Sequence, residues 1–138
     1  HQNNQLELTN SQNFGDSLKI ISEFLINHAS NVQARKKATK IKQALESDSP
    51  DLEELNNKLK RLNILEFVGQ PLSDVKFPDE LNLLTGVNYI DISCSDLKEV
   101  PNFIFMLDNI SILNLRNNKF EKLPEDLCNM KNLNRVDI

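Results

Sequence analysis

The sequence predicts an α/β solenoid: short parallel strands line one face, 3₁₀ or helical segments return the chain on the other, and an α-helical region precedes them. Three observations carry this. An apolar hexad recurs at a fixed spacing in the last 77 residues, a proline-led half follows it each time, and the first 61 residues show apolar side chains at helical spacing instead.

The hexads align Val87-Asn-Tyr-Ile90-Asp-Ile92 with Ile110-Ser-Ile-Leu113-Asn-Leu115 and Leu133-Asn-Arg-Val136-Asp-Ile138, at offsets of 23 and 23, with apolar residues at positions one, four and six. The match extends beyond the hexad, because Leu97, Val100, Pro101, Ile104 and Leu107 fall on Phe120, Leu123, Pro124, Leu127 and Met130. An earlier unit starts at Leu62, Leu65 and Phe67 and closes with Phe77-Pro78 through Leu81 and Leu84; it is 25 residues long, its extra pair lying between Leu72 and Phe77. The units are therefore residues 62–86, 87–109 and 110–132, with a partial one at 133–138.

This skeleton resembles the leucine-rich repeats of the typical 23-residue type with a Leu-Pro step, over about residues 62–138. The resemblance implies a protein-binding module; three isolated glycines leave no P-loop or GxGxxG, so neither catalytic activity nor a cofactor is expected. The physical reading agrees. The hexad makes a strand whose one, four and six positions fill a core, and the PxxLxxL half returns with 3₁₀ spacing. Asn118 at the ninth position is expected to bond its amide to nearby backbone and close the turn without glycine, whose count is only three. Ser95 and Gln70 stand at that position in the other units, so an incomplete side-chain ladder is expected.

In residues 1–61, Phe14, Leu18, Ile21 and Leu25 form one helical stripe, widened by Phe24. Val32, Ala38, Ile41 and Leu45 form a second after a break near His28 to Asn31. A third helix is expected from Ser49-Pro50-Asp51, with Ser49 capping, Pro50 at the first helical position and an apolar face of Leu52, Leu55 and Leu59. A solenoid's first unit has an open apolar end that a terminal element must cover, so these helices are expected to be its cap. No linker-like composition separates the two parts.

Composition removes several function classes. The net charge is −4, with 16 basic and 20 acidic residues, which argues against a nucleic-acid partner held through phosphates. No apolar run is long enough to span a bilayer. Cys94 and Cys128 stand apart and the histidines are His1 and His28, too few for a zinc site or a disulfide framework. Reduced thiols and a cytoplasmic setting are expected. The missing initiator Met and the stop at Ile138, on the sixth position of a hexad, suggest a fragment. The larger protein could then be a secreted bacterial effector, delivered into a host cell, or an enzyme coupled to the repeats. An open last strand would also offer an edge for self-association.

Candidate binding residues follow from stacking the exposed hexad positions. The third reads Ile64, Tyr89, Ile112 and Arg135; the fifth reads Glu66, Asp91, Asn114 and Asp137; the seventh includes Val68, Ser93 and Arg116. The acidic fifth column is either screened by solvent or used by a basic partner surface. Phe103, Phe105 and Met106 align with Asp126, Cys128 and Asn129, so they make either local packing or an outer contact. Residues 1–61 carry net +1 and residues 62–138 net −5. The one basic run, Arg35, Lys36, Lys37, Lys40 and Lys42, is either a solvated helix face or a contact for phosphate or anionic lipid.

Overall fold

The computed structural model describes the backbone of residues 2–138 and the side chains of residues 13–138. Three helices come first: α1 (Gln2–His28), α2 (Val32–Leu45) and α3 (Leu52–Lys60). Four short strands follow, β1 (Ile64–Glu66), β2 (Tyr89–Asp91), β3 (Ile112–Asn114) and β4 (Arg135–Asp137), and 3₁₀ helices lie between them at Asp79–Leu83, Asn102–Met106 and Glu125–Asn129. Each 3₁₀ helix starts directly after the proline of its unit, Pro78, Pro101 or Pro124. A fixed φ and a missing N–H suit that position.

The strands pair in parallel in the order β1-β2-β3-β4. Ile64 lies beside Tyr89, Tyr89 beside Ile112 and Ile112 beside Arg135, one residue of each hexad per strand. The 25-residue first unit therefore joins the sheet in the same register as its 23-residue neighbours. Its extra pair is taken up in a turn after Leu72, closed by Val75 N–H on the Leu72 carbonyl at 3.1 Å. In the first three units hexad positions one, four and six point inward, and Leu65, Ile90 and Leu113 are fully buried, whereas Ile138, at the sixth position of the partial unit, is 73% exposed.

The helices and the strands share one core, running from Leu18, Ile21 and Leu25 of α1 to Leu113 and Leu115 of the third unit. Aromatic rings bridge the two parts: Phe24 of α1 meets Phe67 at 5.7 Å and Phe77 at 5.2 Å between centroids, and Phe77 stacks on Phe103 at 5.8 Å. Each such contact contributes about 1 kcal/mol beyond the area it buries. Phe103 is 1% exposed, so of the two alternatives it makes local packing and not an outer contact. It turns inward because Phe77 of the preceding turn offers it a ring face. Phe105 is half-buried, and Met106 alone of the three stands exposed.

Two helix details also differ from expectation. Asp51, not Ser49, starts α3, accepting from Glu54 N–H at 3.2 Å, with Pro50 outside the helix. Val32, assigned to the apolar face of α2, points to solvent at 61% exposure, and Ala34 takes its place beside Ala38 and Ile41 in the core.

The sheet's first edge is closed by the α1–α2 connection. Ser30 N–H donates to the Glu66 carbonyl at 2.7 Å, and the Asn31 amide both donates to the Ile64 carbonyl (2.9 Å) and accepts from Glu66 N–H (3.0 Å). Val68 N–H reaches the Ser30 hydroxyl oxygen at 3.0 Å. These groups take the place of a neighbouring strand, so β1 presents no unpaired edge there. Asn31 precedes α2 without capping it, because its side chain is committed to β1.

Candidate functional site

Turn closure sets how the exposed face is held. In the third unit the Asn118 amide donates to the carbonyls of Ile92 (2.8 Å), Leu115 (3.1 Å) and Arg116 (3.2 Å), while its oxygen accepts from Ser95 N–H and Leu97 N–H. The ladder is incomplete, as expected: Asn118 alone makes the full set of bonds, and Ser95 and Gln70 have different reach. The Ser95 hydroxyl lies 2.7 Å from the Phe67 carbonyl oxygen and 3.0 Å from that of Ser93. Gln70 turns its amide instead onto the His28 carbonyl at the end of α1, at 2.6 Å. The residue before each of these has positive φ: Gly69 (73°), Cys94 (55°) and Asn117 (55°).

A second ladder escaped the sequence reading. Asn109 donates to the Thr85 carbonyl at 2.8 Å and Asn132 to that of Asp108 at 2.7 Å, each reaching back one turn from the residue before its hexad. The repeated Asn at that position was the available signal. The first unit boundary has Gly86 there, where a Cβ would come within 1.8 Å of the Lys60 carbonyl oxygen. The end of α3 leaves no room for a side chain.

On this frame the candidate residues form two adjacent columns. The third positions place Ile64 (46% exposed), Tyr89, Ile112 and Arg135 in line, and the fifth place Glu66, Asp91, Asn114 and Asp137 beside them. Adjacent strands lie about 4.8 Å apart. Asp91 accepts from Ser93 N–H at 2.9 Å and Asn114 from Arg116 N–H at 3.1 Å, so the same side-chain turn fixes both fifth-position groups.

The column is not uniformly acidic. Asp137 is met by Arg135 at 2.9 Å and by Arg116 at 3.9 Å, so the β3–β4 end is charge-balanced. Glu66 and Asp91 have no ion pair among the described residues. The free negative charge therefore gathers on β1 and β2, around Tyr89. The Tyr89 phenol is pushed above its usual pKa, first by burial and then by the charges of Asp91, Glu66 and Asp137.

Cys94 and Cys128 are free and exposed. Among the described residues no group of three or more His, Cys, Asp or Glu side chains is placed to hold a metal ion. No helix among them is long and apolar enough to cross a membrane.

No protein-family model matches the chain, and no curated protein matches it. Among solved structures, a leucine-rich-repeat protein of Leptospira interrogans matches with a TM-score of 0.44 at 24% identity, over 67% of this chain and 28% of that one. The chain thus spans under a third of that protein's length.

Proposed function

We propose that the chain is a leucine-rich-repeat module that binds another protein through the exposed face of its sheet, with residues 1–61 as a helical cap on repeats at 62–138. The observation that carries the reading is the placement of Tyr89, the chain's one tyrosine, between the unpaired carboxylates of Glu66 and Asp91 and the apolar side chains of Ile64 and Ile112. An aromatic anchor with apolar neighbours supplies contact area at low entropic cost, and carboxylates at its rim select the partner's charge.

The partner surface that fits is basic. A lysine or arginine of the partner settles over the Tyr89 ring, in reach of Asp91 and Glu66, and its aliphatic stem covers Ile64 or Ile112. A cation on an aromatic face contributes about 0.5–2 kcal/mol, more as water is excluded. Arg116 and Arg135 hold Asp137 in place and reject a cation at the far end of the column.

The test is capture of the partner on immobilised protein, comparing wild type with Tyr89→Ala plus Asp91→Lys. Both side chains are half-buried and Asp91→Lys gives up the bond from Ser93 N–H, so a modest drop in the thermal melt is expected, and the melt confirms that the variant is folded at the capture temperature. Loss of the captured partner from the variant supports the reading; equal recovery removes the sheet face from the mechanism.

A further inference from the structure

Val32 is the most exposed large apolar side chain on the helices among the described residues. Three adjoining hollows, of about 370, 600 and 410 Å³, share it as a wall. The first runs from Val32 to Ile64 of β1, between Lys37 and Arg61. The second lies over Ile26 of α1, beside Arg35, Lys36 and Lys40. The third passes between α2 and α3, where Lys58 joins Lys36, Lys37 and Lys40.

Six cations thus surround one apolar centre, and among the described residues none of them forms an ion pair. Glu66, on the β1 rim, is the only acidic residue lining these hollows. The cluster is held against its own repulsion. Lys37 is held below its usual pKa by burial and then by the charges of Arg61 and Lys58, while its ammonium donates to the Lys58 carbonyl at 3.0 Å. Mutual repulsion of this kind adds nothing to folding, whereas an anionic partner would relieve it.

We propose that this face is a docking site for an acidic segment of a partner protein, with an apolar side chain seated on Val32 and Ile64 and carboxylates meeting Lys36, Lys37, Lys40 and Arg61. Its charge is opposite to that of the sheet face around Tyr89, with which it shares Ile64 and Glu66 at the β1 rim, so the two sites take partner surfaces of opposite charge and meet at that edge. Shape favours a peptide over a membrane. The sites are concave, and the inner face of α2, at Ala34, Ala38 and Ile41, is wholly buried in the core. The helix therefore has only Val32 to offer a bilayer, whereas interfacial helices insert a continuous apolar face. Glu66 would also oppose an anionic lipid surface.

The experiment measures fluorescence anisotropy of a labelled peptide of alternating Glu and Leu, with a Glu and Ser peptide of equal charge as the control. Vesicles of phosphatidylserine and phosphatidylcholine are tested by flotation, and the protein alone by sedimentation velocity. Two variants are compared, Val32→Ser and Lys36→Glu plus Lys40→Glu, all at exposed positions, with thermal melts confirming their folding. The wild type should bind the Glu–Leu peptide, Val32→Ser should weaken it about fivefold, and the double reversal should abolish it. The proposal is overturned if the Glu–Leu peptide does not bind, if the Glu–Ser peptide binds equally well, or if both variants bind like wild type. Vesicle binding or self-association that replaces peptide binding overturns it as well.

Discussion

Tyr89 reports on its own surroundings, since the chain has one tyrosine and no tryptophan. Its phenol is raised by burial and by nearby carboxylates, so ultraviolet absorbance should show an ionisation above the usual value of about 10, and Asp91→Asn should bring it down. The stability consequence has a definite sign. A group whose folded pKa is raised favours the folded state below its unfolded pKa, so this contribution is full below pH ~10 and is lost as pH rises through the folded value. An unchanged ionisation in Asp91→Asn would separate the carboxylate from the ring. Cys94 gives a second prediction. At φ 55° it pays a left-handed penalty that Asn117 in the next unit pays less, and Cys94→Asn should raise stability by about 0.5 kcal/mol in a denaturant titration. Asn118 was readable in advance because an amide at the ninth position can bond to neighbouring backbone and close the turn. Phe103 was not, since its direction depends on Phe77 of the preceding turn rather than on its own alignment column.

Strand register was legible because the period itself sets it: apolar side chains at positions one, four and six can fill one core only if each hexad lies beside the next. The proline-led returns were legible for the same reason. What closes the first edge was not, because Ser30 and Asn31 act on β1 from more than thirty residues away in sequence, through a side chain that resembles an ordinary helix cap. Asn31→Ala should therefore cost about 2 kcal/mol in thermal or chemical unfolding, by leaving the Ile64 carbonyl and Glu66 N–H without their protein partners. A loss no larger than that of an exposed polar residue would mean that water replaces the amide without cost. Gly86→Ala should be worse, at about 3 kcal/mol or more, since the Lys60 carbonyl at the end of α3 blocks the new Cβ. A melt close to wild type would show that α3 yields there.

Charge divides the whole molecule in a way that net values only outline. The difference between +1 and −5 for the two parts was visible in composition, but the pairing of Asp137 with two arginines was not, nor was the ring of cations about Val32. Both depend on which side chains the fold brings together. Phe120, Leu123, Leu127 and Met130 of the third return are partly buried and pack against the shared core.

The central claim is that the sheet face around Tyr89 binds a basic protein surface, and Tyr89 emission measures it most directly. Titration with a lysine- and arginine-rich peptide lacking aromatic residues should give a saturable change in tyrosine fluorescence that weakens with salt and is lost in Asp91→Lys. No change on titration, or an equal change in Asp91→Lys, would contradict the account.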